Sequence, residues 1–124
     1  MNTPVRILVV DDEPSLRALL RRVLEEEGYE VVGLEDGKAG LDAVKTADTA
    51  YDLVITNGYA PHITGPELIG QLRHLFPGLP ILHLDELSHS PEPVGDAAPT
   101  LYKPFSLDAL LNEVHRLIRK RGVG

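Results

Sequence analysis

The stretch VRILVVDDEPSLRALL, residues 5–20, decides the architecture, because its hydrophobic period changes in the middle. VRILVV (5–10) is apolar at nearly every position and rich in β-branched residues, as a strand covered on both faces requires. Past Asp11 and Asp12, the residues Leu16, Leu19, Leu20, Val23 and Leu24 follow with the spacing of one helix face. Pro14 suits the first turn of that helix and Gly28 its stop, giving a helix over 14–27. A buried strand that ends in two acids and passes straight into an amphipathic helix opens a βα unit.

The same switch recurs outward along the chain. EVVGL (30–34) reads as a second strand, and Asp36 can cap a weaker helix carrying Leu41, Val44 and Ala47. DLVIT (52–56) is a third strand. Thr64-Gly-Pro-Glu67 has the form of a capping box, and Leu68, Ile69, Leu72 and Leu75 give the next helix its face. PILHL (80–84) and TLYK (100–103) are a fourth and a short fifth strand. Ser106 caps a last helix whose apolar side is Leu107, Leu110, Leu111, Val114, Leu117 and Ile118, closed by Gly122. Strands that are continuous apolar runs, alternating with helices, predict a parallel sheet covered on both faces. One segment departs from the rhythm. Residues 85–99, DELSHSPEPVGDAAP, hold Pro91, Pro93, Pro99 and Gly95, which leaves room for a turn or two of helix, so the fourth crossover is expected to be short or irregular.

Bulk properties bound the function. At 124 residues, 43% of them hydrophobic and 25% charged, the chain is sized for one domain, 1–124, with its own core. A net charge of −7 and a pI near 5.1 oppose non-specific attraction to nucleic-acid phosphates or anionic lipid. The basic group Arg116, Arg119, Lys120 and Arg121 reads as cations at the negative end of the last helix. With no cysteine, a disulfide framework, a thiolate metal site and a cysteine nucleophile are excluded. The apolar run near the N-terminus is too short for a signal peptide, and no segment approaches the ~18 apolar residues of a membrane span. The expectation is a soluble cytoplasmic protein.

In a doubly wound sheet the carboxyl ends of the strands share one edge, where ligands bind. Here those ends deliver Asp11 and Asp12, then Asn57, then Asp85, then Lys103. Adjacent carboxylates are costly unless a cation neutralises them, and an oxygen-rich set with an amide suits Mg²⁺. Solvated acids before a helix N-terminus are the simpler alternative for the pair alone.

Three segments, VVDDEP, DLVITNGYAPHITG and YKPF, together resemble the receiver domain of bacterial response regulators over roughly residues 5–120. The resemblance implies a flavodoxin-like sheet of order 2-1-3-4-5 and a role in two-component, or phosphorelay, signal transduction. In that family a histidine kinase passes a phosphoryl group to an aspartate at the third strand end, beside Mg²⁺. Carried over, Asp12 is a direct metal ligand, Asp11 acts mainly through water, the carbonyl of Tyr59 is a third ligand, and Lys103 pairs with acceptor or phosphoryl oxygens. The chain departs from the family where the chemistry matters. The acceptor position is Asn57, whose amide oxygen can ligate a metal but is a poor nucleophile. Asp85 stands where the family has a hydroxyl, and Thr100 where it has an aromatic switch residue. These changes predict an atypical receiver that signals without phosphorylation, binds Mg²⁺ weakly and works through protein partners. A sensor histidine kinase, a downstream effector or a second copy of the chain are the candidates. Asp85 could pair with Lys103 and hold one conformation.

Alternatives follow from the same residues. The acceptor aspartate could have been replaced deliberately, or slow deamidation at Asn57-Gly58 could restore it, since glycine leaves the attacking backbone nitrogen unobstructed. A small Mg²⁺-dependent aspartyl phosphatase would share the strand-end acid and the lysine, but nothing in the chain supplies a cap over a substrate. His62, His83 and His89 flank the same edge without a tight metal-ligand motif, and His74 and His115 fall on helices.

Overall fold

The computed structural model describes residues 4–57, 65–86 and 99–121. Each apolar run becomes a strand and each periodic run a helix: β1 Arg6–Val10, α1 Pro14–Glu26, β2 Glu30–Leu34, α2 Gly37–Thr46, β3 Leu53–Asn57, α3 Gly65–Leu75, β4 Ile81–Glu86, β5 Thr100–Lys103 and α4 Leu107–Arg121. All pairings are parallel and the strand order is β2-β1-β3-β4-β5. This is the flavodoxin-like arrangement, with the chain reversing direction across the sheet at β1 and β3.

Alternate residues of the central strands feed two different cores, which is why their sequences read as unbroken apolar runs. Ile7 and Val9 of β1, Ile55 of β3 and Leu82 and Leu84 of β4 pack with Leu20 and Leu24 of α1 and Leu110, Val114 and Leu117 of α4. Leu8, Val10, Val54 and Ile81 point the other way, onto Leu41 and Val44 of α2 and Leu68, Ile69 and Leu72 of α3. Gly40 lets α2 approach β1 closely, since a Cβ there would lie 2.6 Å from Val10 Cγ2.

The helix ends follow their sequence signals. Asp36 Oδ1 accepts from the Ala39 N–H at 2.7 Å, and Ser106 Oγ accepts from the Ala109 N–H at 3.0 Å, satisfying first-turn donors. At the end of α1, Gly28 takes φ of 93°. The Gly28 and Tyr29 N–H groups donate to the carbonyls of Glu25 and Leu24, the paired bonds of a Schellman motif. Tyr29 then packs on the core that holds Leu24.

Some expectations shift. β3 runs one residue further than DLVIT and includes Asn57, and β4 continues through Asp85. Leu19, Leu75 and Leu107, expected on buried helix faces, are 42%, 46% and 40% exposed. Leu75 ends α3 and Leu107 begins α4, so both lie at the ends of their packed faces. The Thr64 cap, the Gly122 stop and residues 87–98 of the fourth crossover lie outside the described residues. Among the described residues no helix is long and apolar enough to cross a membrane.

Candidate functional site

Parallel pairing aligns the carboxyl ends of β1 and β3, with Val10 opposite Thr56. The residues that follow therefore meet at one edge. The backbone N–H of Asp11 still donates to the Leu34 carbonyl at 3.0 Å, which holds this residue in line with the sheet. Its Oδ1 accepts from the Glu13 N–H at 2.8 Å, and its carbonyl accepts from Arg17 Nη1 at 2.7 Å. Arg17, on the first turns of α1, reaches back over Gly33, where a Cβ would lie 3.2 Å from the arginine Cγ. The acidic turn is thus fixed from strand, turn and helix together.

Asp11 is 1% exposed, and its Oδ2 is buried with no hydrogen-bond partner among the described residues. Burial pushes its carboxyl above the ordinary range. The Glu13 N–H and the charge of Lys103 oppose that rise, while Asp12 and Glu13 add to it. An acceptor-only oxygen, buried and unpartnered beside a second acid, is the chemistry of a cation site.

Asn57 occupies the other side. It is 5% exposed, and its Nδ2 donates to Asp12 Oδ1 at 2.9 Å. A carboxylate can only accept, so it draws the amide nitrogen toward itself and turns the amide oxygen elsewhere. Thr56 Oγ1 donates to the Asn57 carbonyl at 3.2 Å. The donor set therefore fits a divalent cation in part. Asp11 and Asp12 offer oxygens, but one oxygen of Asp12 already holds an N–H, and the amide would have to rotate to contribute its own oxygen.

Lys103 ends β5 half-buried, followed by Pro104 through a cis peptide bond, and its charge acts on Asp11. Asp85 is half-buried on β4 opposite Tyr102. Thr100 begins β5 half-buried, opposite His83. Tyr59, His62 and His89 lie outside the described residues. Sequence reasoning missed Arg17 and Gly33, which the pattern of an arginine one helical turn into α1 and a glycine inside β2 could have suggested. His83, which the sequence puts in the fourth strand beside this edge, lies in β4 and is 1% exposed. Its place before the last apolar residue of PILHL is the signal for an interior position.

A doubly wound parallel sheet whose carboxyl edge gathers two acids, an amide and a lysine differs from the nucleotide-binding sheets, whose phosphate loops avoid acids. The chain belongs to the response regulator receiver domain family, whose model matches residues 7–115, and it is the receiver domain of a two-component response regulator. It is 40% identical over 121 residues to the response regulator MprA of Mycolicibacterium vanbaalenii, covering 94% of this chain and 52% of that one. The chain thus spans about half the length of the curated relatives it matches. A response regulator receiver domain protein from Clostridium thermocellum superposes with a TM-score of 0.86 over 95% of this chain and 97% of its own, at 23% identity, and shows the fold alone. The response regulator TrrA of Thermotoga maritima, solved in complex with Mg²⁺-BeF, superposes with a TM-score of 0.81 at 37% identity, covering 91% of this chain and 98% of its own.

Proposed function

We propose that this receiver, residues 1–124 as one domain, relays a signal by protein–protein contact without accepting a phosphoryl group. The observation that supports the reading is the 2.9 Å hydrogen bond from Asn57 Nδ2 to Asp12 Oδ1. An amide so held lacks the carboxylate nucleophile that acyl phosphate chemistry needs. It also gives one acid a neutral donor in place of part of a cation. Asp85, half-buried at the neighbouring strand end, adds a negative charge that an incoming phosphate would have to overcome.

Asp12 directly and Asp11 mainly through water would hold Mg²⁺, and the resemblance adds the Asn57 amide oxygen and the Tyr59 carbonyl as further ligands. The ion binds weakly, because the third acid is missing and the amide must turn. Bound there, it would supply charge neutralisation for the acidic pair. Lys103 contributes a fixed positive charge beside Asp11 in either case. The partners are a sensor histidine kinase, a downstream effector or a second copy of the chain. Direct nucleic-acid binding is disfavoured by the net charge of −7. We place the protein in the cytoplasm and assign it no catalytic turnover of its own.

The test is peptide-mapped mass spectrometry after incubation with acetyl phosphate and Mg²⁺. The proposal expects the peptide spanning Asn57 to stay unmodified. A phosphoryl adduct at position 57 or at Asp85 would overturn it.

A further inference from the structure

His83 sits near the middle of β4, between β3 and β5, and the ladder registers set Val10, Thr56, His83 and Thr100 side by side across four strands. Partners in a parallel ladder face the same side of the sheet. Val10 and Ile81 point into the core under α2 and α3, so the imidazole lies on that side. It is 1% exposed, and neither Nδ1 nor Nε2 has a hydrogen-bond partner among the described residues. A neutral imidazole carries one N–H, so a donor is left unanswered there in either tautomer. Buried polar groups without partners are rare in native structures, and each calls for a reason.

The surroundings show what the ring can respond to. On β3 the neighbour is Thr56, whose hydroxyl donates to the Asn57 carbonyl. On β5 it is Thr100, half-buried. On that face α3 presents Leu68, Ile69 and Leu72, none of which titrates. Among the described residues, Asp85, two positions along the same strand and on the same side, is the one charge whose field acts on the ring, and it favours the proton. Burial acts more strongly in the other direction and holds the imidazole neutral. Asp85 is opposite Tyr102 on β5, so the ring and the acid are both tied to the last strand of the sheet.

We propose that His83 is a proton-operated switch inside the β4–β5 half of the sheet, by which acidification changes the face that β5 offers to a partner. A proton on the buried ring creates a charge with no described acceptor at hand. The strand pair then relaxes until the imidazolium reaches water or Asp85, and Thr100 and Tyr102 move with it. Such a switch needs no phosphoryl group and no metal, and it stands whether or not position 57 can be phosphorylated.

The sign follows from linkage. A histidine held neutral in the fold binds fewer protons than in the unfolded chain, so its contribution is complete above the unfolded value near 6.5 and is lost as pH falls through the lower folded value. The experiment compares wild type with His83→Met, an apolar side chain of similar reach, by urea unfolding from pH 8 to pH 5. His83→Gln serves as a polar, non-titrating second variant. The other histidines are common to all three proteins and drop out of the difference. Relative to either variant, the wild-type folding constant should fall up to about tenfold per pH unit below 6.5. In ¹⁵N spectra the Asp85, Thr100 and Leu101 amides should move with the same midpoint as the His83 ring, and stay still in both variants. A stability difference that is flat across this range, or a His83 ring that titrates near 6.5 without moving the β5 amides, would overturn the proposal.

Discussion

Asn57→Asp restores the carboxylate that phosphoryl chemistry requires, and the geometry says what it does before any phosphate arrives. In the wild type the amide donates to Asp12 Oδ1 at 2.9 Å. The substitution turns a charge-assisted hydrogen bond into a contact between two carboxylates, beside a third that is already buried. Losing the bond costs about 1.5–3 kcal/mol. Two like charges about 4 Å apart repel by about 4 kcal/mol at an effective dielectric constant of ~20. Side-chain rotation and proton uptake relieve much of this, so a net loss of about 2–3 kcal/mol is expected at neutral pH with chelator present. A divalent cation reverses the sign by neutralising three acids in place of two. Urea unfolding with EDTA and with 10 mM MgCl₂, followed by circular dichroism, measures both. The variant should be less stable than wild type in EDTA and should gain clearly more from Mg²⁺, as mass action on a tighter site requires. Equal stability in EDTA would refute the reasoning, as would an equal gain from Mg²⁺ in the two proteins.

Other expectations follow from single contacts. Asp11→Asn should stabilise the protein by about 1 kcal/mol at pH 7, as relief of a strained functional site often does. The raised carboxyl of Asp11 favours folding only while protonated and loses that contribution as pH rises through its folded value, so the advantage of the variant should fade on acidification; urea midpoints at pH 7 and pH 4 check this. Gly40→Ala gains helix propensity but drives a Cβ to 2.6 Å from Val10 Cγ2, and a net loss of about 1–2 kcal/mol is expected in thermal or urea unfolding. Asn57 should resist deamidation over days at pH 7.5, because its amide is buried and bonded to Asp12; peptide mapping would show an Asp or isoAsp product if it does not. The pair Asn57→Asp with Asp85→Thr should take a phosphoryl group from acetyl phosphate more readily than Asn57→Asp alone, read by intact mass, since it removes the charge next to the acceptor.

The fold was legible because its signals are local. β-branched runs, the Asp36 and Ser106 caps and the Gly28 stop each act within a few residues, and their sum leaves one parallel arrangement. The site was legible as a set of strand ends, since a parallel sheet must bring Asp11, Asp12, Asn57 and Lys103 to one edge. The amide–carboxylate bond was not legible, because it depends on which amide atom faces Asp12 across a gap of forty-five residues. The same holds for Arg17, whose reach to the Asp11 carbonyl requires the space left by Gly33 in another strand. His83 was legible as a member of the PILHL strand, but its full burial depends on the register that sets it between Thr56 and Thr100. The exposure of Leu75 and Leu107 depends on where α3 ends and α4 begins, which periodic spacing alone does not fix.

The most direct test of phosphorylation-independent signalling is a ¹⁵N titration of the wild-type protein with Mg²⁺ and beryllofluoride, a phosphoryl mimic that needs a carboxylate to hold it. The account predicts no saturable shift at Asp11, Asn57, Asp85 or Lys103 of the wild type on adding beryllofluoride beyond that of Mg²⁺ alone, and a saturable, Mg²⁺-dependent one in Asn57→Asp. A saturable response of the wild type to beryllofluoride at these residues would contradict it.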